Sequence, residues 1–246
     1  MRLYLIAMQF LTILPIPCDT RCQQEDLGRS TALFPLAGLT IGAILAGVNW
    51  LLTPWLAHPL TDALLVMVMA ALTGALHLDG LADVCDGLAA RGNRERFLAV
   101  MKDSHVGAAG AVGVALVILL KWQALAAVPE TVKWQALLIF PLLGRFAQVL
   151  AMAGAGHARQ DGLGAAFIQG MTARHLIVAL VVAAVACLVL LPVPGLVALA
   201  AVFATTLVVK GYFKNRLGGL TGDIVGCICE LSEILALIVL SARLPW

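Results

Sequence analysis

Acidic side chains are scarce in this 246-residue chain, only 14 in all, and Asp79, Asp83, Asp86, Asp103, Asp223, Glu230 and Glu233 fall in three short stretches. In His77-Leu-Asp-Gly-Leu-Ala-Asp-Val-Cys-Asp-Gly87, Asp79, Asp83 and Asp86 stand at i, i+4 and i+7. At about 3.6 residues per turn that spacing confines them to one narrow helical face. Three like charges stacked there repel. A hard cation such as Mg²⁺, which takes carboxylate oxygens and shares substrate phosphates, would remove the repulsion, so the three are candidate metal ligands. They also close an apolar run, where an aspartate costs about 2.5–3.5 kcal/mol at mid-bilayer and less towards the interface, so a role is the default reading. The bland alternative is a solvated acidic helix end. Gly80 and Gly87 leave room for a substrate or a neighbouring helix against the backbone. His77, on an apolar turn, reads equally as a packed histidine or as a substrate contact.

The second stretch, Met101-Lys-Asp-Ser-His-Val-Gly-Ala-Ala-Gly110, sets Lys102, Asp103 and His105 before an apolar run, with Ser104 as an N-cap. Lys102 could meet a phosphate at this helix start, and Asp103 could complete a metal site or serve catalysis; ordinary capping and flanking charge are the alternative. The third, Leu217-Gly-Gly-Leu-Thr-Gly-Asp-Ile-Val-Gly226, leads into Glu230 and Glu233. Its glycines suit a phosphate cradle or a plain turn, which makes Gly219 and Thr221 candidate phosphate contacts. Asp223 and Glu230, seven apart, share a face if the helix begins early, and either could be a general base. Glu230 and Glu233 could instead pair with Lys214 or Arg216. Arg145, inside an apolar run, needs an anion: an acidic cluster, or a substrate phosphate gripped bidentately, unless it snorkels. Arg91 and Arg94 either meet substrate or only set orientation.

The elements that must position these groups are membrane helices. The chain is 61% hydrophobic and 12% charged, with a mean hydropathy of +0.98. A span takes about 20 apolar residues, and such runs lie near 31–56, 60–78, 107–128, 134–155, 175–191, 194–210 and 228–242. The fold class is therefore all-α, a polytopic bundle of about 6–7 membrane helices in one domain over 1–246. The fifth and sixth runs read as a tight hairpin. Residues 1–17 resemble a signal peptide without a cleavage site and read as a retained interfacial or re-entrant segment. The six cysteines, Cys18, Cys22, Cys85, Cys187, Cys227 and Cys229, show no C-x-x-C pair, so free thiols are expected. Arg21, Arg29, Arg91, Arg94, Arg96, Lys102, Arg159, Arg174, Lys210, Lys214 and Arg216 fall in alternate loops, with Lys121 and Lys133 assigned to the opposite ones. That bias places the charged loops, and the site, on the cytoplasmic side of an inner membrane, with Arg243 on the other. A net charge of +2 spread over separate loops argues against nucleic acid.

Together, H-L-D-G-L-A-D-V-C-D-G, M-K-D-S-H-V-G-A-A-G and G-G-L-T-G-D-I-V-G-C-I-C-E resemble the cobalamin synthase family, also called adenosylcobinamide-GDP ribazoletransferases. The likeness runs from Q-F-L-T-I-L-P-I-P to the last apolar run. It implies transfer of adenosylcobinamide phosphate from adenosylcobinamide-GDP to α-ribazole or its 5′-phosphate, with release of GMP and a requirement for Mg²⁺, late in cobalamin biosynthesis. On that reading Asp79, Asp83 and Asp86, with Asp103, hold the ion, Asp223 or Glu230 takes the hydroxyl proton, and Arg91, Lys102 and Arg145 contact phosphate. Membrane lipid, a homo-oligomer and other enzymes of the pathway are the remaining partners considered. A second resemblance is partial: Asp83-Val-Cys-Asp-Gly-Leu-Ala-Ala-Arg91 is similar to the opening of the CDP-alcohol phosphotransferase motif, but the G-x-x-x-D-x-x-x-D half is missing. A transporter or scaffold is the non-catalytic alternative. A transporter should gather its charges near the midplane, whereas these sit towards one face.

Overall fold

The structure, a computed structural model, describes residues 1–16, 24–158 and 163–242; Cys18, Arg21, Cys22, Arg159 and Arg243 lie outside them. It is helical throughout: α1 (Arg2–Leu11), α2 (Gln24–Ser30), α3 (Phe34–Leu52), α4 (His58–Leu72), α5 (Leu76–Ala89), α6 (Arg94–Val100), α7 (Ala108–Ala126), α8 (Lys133–Met152), α9 (Leu163–Gly170), α10 (Ala173–Leu190), α11 (Pro192–Leu217) and α12 (Gly222–Ser241). Six helical stretches are long and apolar enough to cross a membrane, and a seventh span is reached if α4 and α5 count as one. The expected all-α, 6–7-span architecture is therefore present. The four described cysteines are free thiols.

The interior is apolar, as in a soluble bundle, but much of the outer surface is apolar as well. α8 is the central post, with every residue from Ile139 to Met152 buried, and α12 lies beside it. The outer helices turn Leu116 and Leu119 of α7, Val181, Val185 and Leu188 of α10, and Val208 of α11 outwards, where lipid tails can cover them. Close packing rests on small residues. A Cβ added to Gly38 or Gly42 of α3 would sit 2.5 Å from the carbonyl oxygen of Pro141 or Leu137 on α8, so this glycine stripe packs within the chain. Trp50, Trp55 and Trp134 are exposed at the end of the bundle where α3 stops and α8 starts, and Trp122 donates to the Pro59 carbonyl (2.9 Å) at that same end. Such a ring of indoles suits a membrane–water interface.

Two expectations change. The run at 60–78 does not continue straight into the acidic stretch: α5 leaves α4 at 89°. Gly74 (φ 58°) and Ala75 (φ 54°) take left-handed conformations at the break, which glycine adopts freely. The carbonyl of Leu72, freed where α4 ends, accepts from the amide of Ile13, just after α1 (2.9 Å). With ten residues, α1 reaches only about 15 Å and packs on α2 and α3 without spanning. The second change concerns Lys121 and Lys133, which are not loop residues. Both are buried in helices with acidic partners: Lys133 lies 3.0 Å from Asp62 and donates to the Leu125 carbonyl (2.7 Å), and Lys121 meets Glu230 (2.7 Å) and Glu233.

Candidate active site

Asp79 and Asp223 reach one place because two glycines let α5 cross α12 closely. A Cβ on Gly80 would lie 2.7 Å from the Asp223 carbonyl oxygen, and one on Gly226 would lie 3.3 Å from the His77 Cα. Gly80 thus serves a neighbouring helix, one of the two uses expected of it. Thr221 is the N-cap of α12, its hydroxyl accepting from the Ile224 amide (3.3 Å). The loop before it is fastened to 156–158: the Leu220 amide donates to the Gly156 carbonyl (2.9 Å) and the Ala158 amide to the Leu220 carbonyl (3.1 Å). Arg94 clamps this loop by donating to the carbonyls of Leu217 (2.8 Å) and Ala158 (3.1 Å).

The result is a cavity of about 260 Å³ at the charged end of the bundle. His77, Asp79, Gln148, Thr221 and Asp223 line one part of it, and Phe10, Phe34 and Phe167 line another. Gln148 donates to His77 Nε2 (2.8 Å), so that nitrogen accepts and the neutral ring carries its hydrogen on Nδ1. Two carboxylates beside a neutral imidazole can take up a proton or share a cation. Of the residues singled out by sequence, the cavity gathers His77, Asp79, Thr221 and Asp223. Asp83 lies half-buried one turn beyond Asp79 on α5.

The others stand elsewhere, and each has a physical reason. The Asp86 carboxylate accepts from the amides of Gly107 (2.7 Å) and Gly110 (2.8 Å), so it caps α7 in place of Ser104. Among the described residues no three His, Cys, Asp or Glu side chains converge as a ligand cage. Asp103 is exposed and pairs with His105 through the ring Nδ1 (2.6 Å) and the backbone amide (3.0 Å). That side-chain hydrogen bond holds its carboxyl below the ordinary 3.8. Neither Asp103 nor the exposed Arg91 and Lys102 lines the cavity. Gly219 packs its backbone on Gly156, a close approach that only glycine permits.

Glu230 is also displaced. α12 does begin early, so Asp223 and Glu230 share its face, yet seven residues separate them by about 10 Å along the axis. Glu230 and Glu233 join Lys121 and Arg145 in a buried network, and their partners are not Lys214 or Arg216. Arg145 found its anion in Glu233, accommodated by Gly144, where a Cβ would meet Glu233 Cγ at 2.6 Å. Two cations and two anions make the network neutral. Sequence reasoning missed the phenylalanines, Gln148 and Asp62. An amide deep in the run 134–155, well away from Gln135 at its start, was the available signal for Gln148; the phenylalanines look like any core residue.

A family model described as cobalamin-5-phosphate synthase matches residues 3–241. A protein named adenosylcobinamide-GDP ribazoletransferase from Geotalea daltonii is 55% identical over 242 residues, 98% of this chain and 98% of its own. Proteins of the same name from Pseudomonas fluorescens (41% over 239 residues, covering 96% and 97%) and Acetivibrio thermocellus (33% over 236 residues, covering 96% and 95%) are similar along their length too. No solved structure matches the chain.

Proposed function

The chain belongs to the cobalamin-5-phosphate synthase family, and from that membership we propose how its cavity works as an adenosylcobinamide-GDP ribazoletransferase, a transferase of cobalamin biosynthesis. A ribose hydroxyl oxygen of α-ribazole, or of its 5′-phosphate, bonds to the phosphorus that carries cobinamide. The bond from that phosphorus to the oxygen bridging to GMP breaks, and the electron pair leaves with GMP. The hydroxyl proton goes to a carboxylate. The observation that carries this assignment is the α5–α12 crossing, which brings Asp79 and Asp223 to one cavity wall. Asp223, at the start of α12 beside Thr221, is the base; Glu230 is bound up in its ion pairs.

Mg²⁺ fits this donor set, because it usually takes one or two carboxylates from the protein and the rest from water and phosphate, so no three-acid cage is needed. Asp79, with Asp83 one turn away, would hold it. Once bound, the ion supplies charge neutralisation at the pyrophosphate and the departing GMP, the main demand of phosphoryl transfer. The protein is an integral membrane protein of many spans, and its orientation is part of the proposal: the cavity opens at the cytoplasmic face of the inner membrane. Arg29, Arg91, Arg94, Arg96, Lys102, Arg174, Lys214 and Arg216 support it by lying at the cavity end, while Lys121 and Lys133 are neutralised by internal acids.

The test is turnover by detergent-solubilised protein with adenosylcobinamide-GDP and α-ribazole, in Mg²⁺ or EDTA, following GMP and cobalamin. Both should form in equal amounts only with the metal, and a CDP-linked donor should give nothing. Asp223→Asn should lower kcat by about 10²-fold or more, the usual worth of a positioned base. Unchanged turnover in Asp79→Asn and Asp223→Asn would remove the assignment.

A further inference from the structure

The cavity has two chemically distinct ends. Phe10 of α1, Phe34 of α3 and Phe167 of α9 form a ring cluster, with centroids 6.0 Å (Phe10–Phe34), 4.3 Å (Phe10–Phe167) and 5.6 Å (Phe34–Phe167) apart. These rings offer no strong donor or acceptor. The other end holds Asp79 and Asp223, and the same lining includes Gln148, 2% exposed, whose amide nitrogen is engaged by His77. Its side-chain oxygen has no partner among the described residues. A buried acceptor without a donor is costly, and on a cavity wall a ligand hydroxyl is the natural partner.

Which part of the substrates enters follows from size and polarity, given the reaction proposed above. A corrin ring with its amides and adenosyl ligand is larger than a cavity of about 260 Å³. Guanine carries donors and acceptors along its edges, and against phenyl rings these would be stripped of water and left unpaired. The base of α-ribazole, a dimethylbenzimidazole, has two methyl groups and, once attached to ribose, no N–H. It is a flat apolar bicycle joined to a polyol, matching the two ends in order.

We infer that Phe10, Phe34 and Phe167 form the base pocket of the acceptor α-ribazole, with the Gln148 side-chain oxygen accepting from a ribose hydroxyl. The corrinoid stays outside and presents only its pyrophosphate at the Asp79 and Asp223 end. Acceptor selectivity then resides in α1, α3 and α9, elements remote in sequence from the acidic motifs.

The test uses steady-state kinetics with both substrates varied and free 5,6-dimethylbenzimidazole as probe. The probe should compete with α-ribazole and not with adenosylcobinamide-GDP. Phe34 and Phe167 are fully buried, so the half-buried Phe10 is the residue to change. Phe10→Ala should raise KM for α-ribazole and Ki for the probe about tenfold, the scale of a lost aromatic contact with its buried area, with donor KM little changed. Phe10→Leu, which keeps much of the volume, should fall between. Competition of the probe with the donor, or a rise in donor KM alone, would overturn the base pocket. The probe experiment needs only the wild-type protein, so it decides even if Phe10→Ala does not fold. Wild-type protein that releases no GMP would overturn the reaction itself, a different failure.

Discussion

Asp223 and Glu230 lie on one face of α12, but their surroundings differ. Asp223 stands in the first turn at the cavity, whereas Glu230 is buried against Lys121 at 2.7 Å. Removing one member of a buried charge network leaves an unpaired ion, a loss of about 3–5 kcal/mol. Lys121→Met should therefore lower the thermal unfolding midpoint in detergent sharply. The double variant Lys121→Met with Glu230→Gln restores neutrality and should recover most of that loss. If the single variant unfolds like the wild type, the network does not hold the bundle together. The sequence made Asp79 and Asp223 legible because an acid in an apolar run must have a purpose. It could not separate Asp223 from Glu230, because the partner that claims Glu230 is 109 residues away along the chain.

The proposed site depends on how closely α5 and α12 approach. Gly80→Val would drive side-chain atoms into the Asp223 backbone, which a Cβ already meets at 2.7 Å. Overpacking of this kind costs about 1–3 kcal/mol, and separation of the two carboxylates should add a loss of kcat beyond any loss of folded protein. Gly47→Val is the matched control, since a Cβ there meets nothing within 4 Å and kcat should hold. Equal kcat in the two variants would show that the spacing does not matter. Hydropathy placed all seven runs on helices, because lipid demands length and apolarity of every span, but not their ends: α11 continues to Leu217 beyond the run 194–210, and α12 starts at Gly222 ahead of 228–242. The break at Gly74 and Ala75 escaped it, since hydropathy averages over a window and is blind to the sign of φ. That Asp86 caps α7 was hidden for a related reason: the i, i+4, i+7 spacing describes one helix, and the amides this carboxylate caps belong to another.

For the whole molecule, charge and aromatic residues divide the two ends, with exposed Arg and Lys around the cavity and Trp50, Trp55 and Trp134 opposite. In a background without reactive cysteines, Asn93→Cys should resist an impermeant thiol reagent added from outside the inner membrane and react once the cytoplasmic side is opened. Leu56→Cys should react from outside. The reverse pattern would invert the topology and put the site on the wrong side for a cytoplasmic nucleotide-linked substrate.

The buried network also sets a timetable for biogenesis. Lys121 precedes its partner Glu230 by 109 residues, and Arg145 precedes Glu233 by 88. At roughly 5–20 residues per second, the ribosome leaves both cations waiting on the order of 5–20 s for the final helix to emerge. Until then the half-made protein carries two unneutralised positive charges on segments bound for lipid. Completion of the last helix is therefore the step that neutralises the interior, because Glu230 and Glu233 both arrive with it.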